Sequence, residues 1–224
     1  MRAVELTVLC EGPTEQNFVS QVLGPYLRGH RVFAKGTTLT ARPSVSGVVS
    51  FETMRGAIKN DLGRRRDHQY VTTMVDLYGL RGFPDQDKRA GEPAYDRVAR
   101  IEKAMATGLP SHGFIPYVQV HEFEALVLVD LDQLPREFPD SNVSGTLRNL
   151  RREIGSFASE EVDDGIRTAP SKRLIRHIPD YERLKAIAGP AICGHIGIER
   201  LRAACPHFSE LIEHLQGLAR GIAV

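Results

Sequence analysis

Val4-Glu5-Leu6-Thr7-Val8-Leu9-Cys10, followed at once by Glu11-Gly12-Pro13-Thr14-Glu15, decides how this chain is read. The first seven residues are largely aliphatic or β-branched, the pattern of a strand buried in a sheet. The next five carry a glycine, a proline and two carboxylates before helical periodicity begins. A strand that turns directly into a helix opens an α/β unit. In an open sheet of such units the turn lies outside the carboxyl end of the strand, where ligands and metals gather, and Gly12 lets the backbone tighten there without steric cost. Glu11 and Glu15 thus stand at the mouth of the first turn.

Downstream, Phe18, Val19, Val22, Leu23, Tyr26 and Leu27 recur at helical spacing, so a helix starts near Thr14 and is disturbed or ended by Gly24-Pro25. Residues 31–41 read as a second strand, with a loop marked by Pro43, Ser44 and Gly47. Phe51, Met54, Ile58 and Leu62 share one side of a helix that stops at Gly63. Residues 70–75 form a strand ending at Asp76, and 78–93 a long glycine-rich loop of the kind that tends to be functional. A helix over 94–106 and a strand over 115–120 follow, and the strand runs into His121-Glu122-Phe123-Glu124. The alternation predicts an α/β fold: a mostly parallel four-stranded sheet flanked by helices, with the strand ends sharing one rim. Beyond Leu131 the strand signals fade into helical patterns over 143–157, 174–187 and 198–218, with Gly189-Pro190 as the clearest late punctuation. The expected division is an α/β domain over 1–130 and a helical C-terminal extension over 131–224, packed on it.

A chain of 224 residues can bury one substantial core. Its three cysteines, Cys10, Cys193 and Cys205, are odd in number and lack zinc spacing, which points to a reducing cytoplasm. Neither a signal peptide nor a membrane-length apolar run is present in the sequence. The net charge of +1 gives no bulk attraction for nucleic acid, although Arg64-Arg65-Arg66 and Arg148/Arg151/Arg152 offer local phosphate sites or solvated helix faces. Leu211, Ile212, Leu215 and Leu218 make an apolar late helix that packs internally or forms a homo-oligomer contact.

Carboxylates that follow separate strands converge when those strands lie parallel. Glu11, Glu15, Asp76, Glu122 and Glu124 are therefore candidate ligands for a hard cation, Mg²⁺ or Mn²⁺. In an extended segment Glu122 and Glu124 share a face; in a helix they diverge. His121 either orients a carboxylate or serves as a hydrogen-bonded structural group. Glu11 by itself is either a cation ligand or a turn carboxylate that complements the positive end of the helix dipole. Ser171-Lys172-Arg173 either brings Lys172 and Arg173 over a scissile phosphate as catalytic cations or is the exposed start of a helix.

Residues 9–15, 75–79 and 121–126 resemble the DUF4276 group of Toprim-like proteins, and Pro170-Ser171-Lys172-Arg173-Leu174, Gly189-Pro190 and Cys205-Pro206-His207-Phe208 are similar to it as well. The resemblance to the Toprim fold of topoisomerases, primases and overcoming-lysogenization-defect nucleases implies a Rossmann-like parallel sheet. It also implies a catalytic or metal-binding glutamate at Glu11, a second nuclease-branch glutamate at Glu15 and the first aspartate of a DxD pair at Asp76. Tyr78 stands where the second aspartate belongs, so Asp85, Asp87 or Glu122/Glu124 must supply the missing oxygen. The function implied is a Mg²⁺-dependent nuclease for DNA or RNA in a prokaryotic defence system. No GxxxxGK[ST] motif is present, so ATP hydrolysis falls to a separate, neighbouring ATPase partner. The alternative is a non-catalytic binding or regulatory subunit of an ATPase complex.

Overall fold

The computed structural model describes residues 2–39, 50–63, 68–109, 112–139, 143–162, 165 and 168–221. The expected loop at Pro43, Ser44 and Gly47 and the Arg64-Arg65-Arg66 cluster lie outside the described residues. Strand β1 (Val4–Cys10) pairs in parallel with β2 (Val32–Thr38) on one side and β3 (Gln69–Asp76) on the other. Two short segments, β4 (Phe114–Ile115) and β5 (Val118–Gln119), run parallel along the far edge of β3. The sheet order is β2-β1-β3-β4, with β5 continuing the fourth strand, so the expected parallel α/β sheet is present.

Period-2 alternation sends Val4, Leu6, Val8 and Cys10 of β1 into one core, while Leu9 joins Val71 and Val75 of β3 in a second. The second core is closed by α3 (Phe51–Gly63) and α4 (Ala94–Ala106), whose buried residues fall at helical spacing: Met54, Ile58 and Leu62, then Val98, Ile101 and Met105. The first core takes α1 (Pro13–Phe18), α2 (Gly24–Arg28) and residues from the helices after the sheet, α5 (Glu124–Val127), α6 (Leu134–Glu137), α7 (Val143–Ile154), α8 (Pro170–His177), α9 (Tyr181–Ile196), α10 (Ile198–Ala204) and α11 (Pro206–Gly217). Leu211, Ile212, Leu215 and Leu218 are buried in this same core, so they pack internally. No helix among the described residues is long and apolar enough to cross a membrane.

Several breaks fall elsewhere than the sequence patterns suggest. Gly24-Pro25 does not end the first helix. The chain swells into a π-turn over Val19–Leu23, the Gly24 N–H reaches Val19 O, and Pro25 enters within the first turn of α2, where its missing donor costs nothing. The strand expected over 115–120 is split because Pro116 cannot donate to the ladder. Thr73 Oγ1 replaces the ladder there, donating to Tyr117 O at 2.7 Å and accepting from Tyr117 N at 3.0 Å. Gly189-Pro190 lies inside α9. Pro190 leaves the Ala186 carbonyl without its helical donor, and Asn17 Nδ2 of α1 donates to that carbonyl at 2.8 Å. The actual breaks are at Pro179 and Cys205-Pro206, which separate α8 from α9 and α10 from α11 where single helices are expected over 174–187 and 198–218.

The C-terminal helices are joined to the sheet by a buried polar network. Glu160, with no exposed surface, accepts from the His207 and Phe208 N–H groups at 3.1 and 3.2 Å, so it neutralises the start of α11. The His207 ring stacks on Tyr117 with centroids 5.0 Å apart, and its Nε2 lies 3.0 Å from Glu102, which also accepts from Val118 N at 2.7 Å. Burial alone would lower the His207 pKa, but Glu102, with Glu160 and Glu210 behind it, outweighs burial and holds it above the ordinary histidine value. A histidine raised on folding stabilises fully below its unfolded pKa of about 6.5 and loses that contribution as pH rises through the folded value. The melting temperature of the parent minus that of His207→Gln is therefore expected to be largest below about pH 6.5 and to shrink toward pH 9. A difference independent of pH would mean that the imidazolium does not hold this network.

Candidate functional site

Register places the acidic residues together. Cys10 pairs with Met74 and Asp76 with Gln119, so β1, β3 and β5 end at nearly the same level on the sheet's carboxyl rim. Glu11 is one residue past the end of β1, Asp76 is the last residue of β3, and Glu122 follows β5 by three residues. His121 makes the turn between β5 and Glu122 with φ of 59°, a left-handed conformation uncommon outside glycine, and its carbonyl accepts from Tyr78 N at 3.0 Å.

Each carboxylate is anchored through one oxygen. Glu11 Oε2 accepts from Asp76 N at 3.0 Å, and Asp76 Oδ1 from Phe123 N at 2.9 Å. Glu15 Oε2 accepts from Gly12 N at 2.8 Å. Glu122 Oε2 takes the Ser171 N–H at the start of α8, also at 2.8 Å, and Glu124 Oε1 takes the Tyr181 hydroxyl of α9 at 3.3 Å. The chain thus binds its strand-end carboxylates by backbone donors from neighbouring turns and by two helices from the C-terminal region. Gly79 completes the wall: a Cβ at this position would stand 2.9 Å from Glu11 Oε1, so only glycine leaves that oxygen its place.

Burial and mutual repulsion dominate the electrostatics. Burial, then Glu15 and Glu122, push Glu11 up to about 7 against the Asp76 N–H that favours its charge. Burial and Glu122 push Glu124 up to about 7 as well. Asp76 is raised well above the usual carboxylate range by burial first and then by Glu11, Glu15, Glu124 and Glu122, and burial raises Glu15. Lys185 of α9 is within electrostatic reach of all five. Burial would lower its pKa, but Glu124, Asp76, Glu15 and Glu122 together hold it above the ordinary lysine value. A single ammonium cannot balance five carboxylates, so the cluster takes up protons or a further cation.

Among the described residues, no three His, Cys, Asp or Glu side chains stand in the spacing of an ion's ligands. The donor chemistry nevertheless suits a hard divalent ion: the side chains are carboxylates, they come from separate elements, and each keeps one oxygen fixed by a neighbour. Glu11, Glu15, Asp76, Glu122 and Glu124 are the residues that would hold Mg²⁺ or Mn²⁺. Glu124 opens α5, so the pair with Glu122 is neither a flat strand nor one helix, and a tight turn lets both join the group.

The other candidates lie elsewhere. Arg173 donates to Thr168 O at 2.6 Å and to the Glu153 carboxylate at 3.0 Å, which makes it a strut between α7 and α8. Lys172 is exposed on the first turn of α8, next to the Ser171 N–H that holds Glu122. Tyr78, which stands where the second aspartate is expected, is 43% exposed. Asp85 and Asp87 lie beside Arg100, to which their carbonyls bond. Lys185 was not singled out by the sequence patterns. Its signal was its position four residues after Tyr181 and four before Gly189, on one face of α9. Gly189 lies on that face against Thr14, Phe123 and Tyr181, where a Cβ would come within 3.5 Å of each.

The model of a family described as a domain of unknown function, DUF4276, matches residues 10–216. No curated protein and no solved structure matches the chain.

Proposed function

The chain belongs to the DUF4276 family, and from that premise we propose that it is a metal-dependent phosphodiesterase that cleaves DNA or RNA, working with a separate ATPase in a prokaryotic defence system. The observation that carries this reading is the convergence of Glu11, Glu15, Asp76, Glu122 and Glu124 at one sheet rim, each anchored through one oxygen. Magnesium or manganese held there would polarise a phosphoryl oxygen and supply a nucleophile from water at neutral pH. Glu11 Oε2 is occupied by the Asp76 N–H, which leaves Oε1 to meet the cation or, in the metal-free cluster where burial raises Glu11 to about 7, to take a proton. Lys185 is exposed at its outer side and adds positive charge for the phosphate. The resemblance to Toprim-like systems supports the ATPase partner. The test is hydrolysis of DNA and RNA with Mg²⁺ or Mn²⁺ in the presence of the neighbouring ATPase, comparing the parent with Asp76→Asn.

A second reading, a non-catalytic binding or regulatory subunit, is favoured by one observation: Lys185 supplies the cluster with a built-in cation. Manganese titration of Lys185→Ala separates the two. If the cluster is a metal site, removing a competing ammonium that is partly screened by solvent is expected to tighten Mn²⁺ binding by about threefold. A cluster that takes no Mn²⁺ in either protein supports the non-catalytic subunit.

A further inference from the structure

The chain as a whole is nearly neutral, at +1, but the pair α7 and α8 is not: Arg148, Arg151, Arg152, Lys172, Arg173 and Arg176 stand there with one carboxylate, Glu153. That glutamate holds the two helices side by side. Its Oε1 accepts from Arg173 at 3.0 Å and from Arg176 at 2.6 Å, and its Oε2 lies 2.8 Å from His177 Nε2. Arg151 is paired with Asp132. Arg148 and Lys172 have no carboxylate partner among the described residues, and Arg152 donates to a neutral group, the Asn149 side chain. All three are exposed. The apolar side of the pair, with Leu147, Leu150, Ile154 and Leu174, is buried in the first core, so it has no apolar stripe to lay into a membrane.

This basic surface abuts the acidic rim. The Ser171 N–H at the start of α8 donates to Glu122 Oε2 at 2.8 Å, so Lys172 is one residue from the carboxylate cluster. A crowded set of carboxylates repels a polyanion, and fixed cations beside it are what would bring one close. We infer that the exposed side of α7 and α8 carries the phosphate backbone of a nucleic acid to the rim, with Arg148, Arg152 and Lys172 as its contacts. The inference rests on the nuclease reading of the adjacent cluster and adds to it the surface on which the strand lies. Guanidinium and ammonium groups that meet phosphates carry no base information, so the surface takes strands irrespective of sequence.

Binding is measured by fluorescence anisotropy with labelled DNA and RNA of two unrelated sequences over a range of salt concentrations. All measurements are made in EDTA, so that no cation at the carboxylates contributes. The parent is expected to bind both sequences alike. Arg148→Gln, Arg152→Gln and Lys172→Gln are each expected to weaken binding by about eightfold at about 0.1 M salt and to lower the slope of log K against log salt by about 0.9, the share of one phosphate. Lys59→Gln removes the same charge from the exposed side of α3, across the sheet, and is expected to bind like the parent. The substituted side chains are exposed, and melting curves equal to the parent's confirm that the variants fold. A parent that binds no nucleic acid, glutamine variants of α7 and α8 that bind like the parent, or Lys59→Gln as damaging as Lys172→Gln would each overturn the inference. Attachment to vesicles of phosphatidylserine and phosphatidylcholine without binding of nucleic acid would overturn it too. Manganese titration and hydrolysis in Asp76→Asn decide the nuclease reading separately: a strand held through these cations but never cut leaves the surface standing and removes the nuclease.

Discussion

Asp76→Asn is expected to abolish manganese binding and to lower nucleic-acid hydrolysis by about 10³-fold, the scale on which a key electrostatic group at a phosphoryl site acts. The substitution is nearly isosteric, and an amide oxygen can still accept the Phe123 N–H that Asp76 Oδ1 now holds at 2.9 Å. What disappears is one negative charge at the centre of the cluster, the one that burial, Glu11, Glu15, Glu124 and Glu122 raise most strongly. For the same reason the metal-free variant should melt at the same temperature as the parent or higher, because a crowded carboxylate is exchanged for a neutral group. Lost function with retained stability is the signature of a site, whereas a structural role would cost both. Hydrolysis and Mn²⁺ binding equal to the parent's, measured by single-turnover cleavage and calorimetric titration, would remove Asp76 from the site and with it the nuclease proposal.

How far the sequence could reveal this arrangement depended on the kind of interaction involved. β1 and α4 are legible because their own periodicity specifies them: Val4, Leu6 and Val8 alternate, and Val98, Ile101 and Met105 recur at helical spacing. The rim carboxylates Glu11, Asp76 and Glu122 are legible because parallel strands must end together. Breaks decided by tertiary contact are not. Gly189-Pro190 has the local chemistry of a stop, but Asn17 satisfies the carbonyl that Pro190 frees, and Gly189 lets α9 close on Thr14 and Phe123. Lys185 was hidden because a lysine on an amphipathic helix is ordinarily a solvated charge; only the approach of α9 to the rim gives it partners. Arg173 shows the reverse, a basic residue in a suggestive motif whose bonds go to Glu153 and Thr168.

Glu160→Ala is expected to cost about 3 kcal/mol, the largest stability effect of any single change proposed, because it removes a fully buried, multiply bonded carboxylate. Two α11 N–H groups, His207 and Phe208, lose their acceptor, and the Tyr95 hydroxyl of α4, 3.3 Å from Glu160, loses its own. Burial raises the Glu160 pKa despite these donors and the nearby His207, so the site has already incurred the desolvation of a carboxylate. Glu160→Gln keeps an acceptor of similar shape and should lose about half as much. For a chain of this size, each kcal/mol moves the melting temperature by about 2–4 °C, so Glu160→Ala should fall by about 6–12 °C and Glu160→Gln by about 3–6 °C. The ordering carries the argument: a charge-driven cap loses stability in both variants, whereas a shape-driven one spares glutamine. Glu160→Ala melting within a degree of the parent would mean that α11 is held by Phe208, Leu211 and Leu215 in the core alone, and that Glu160 has no part in fixing its start.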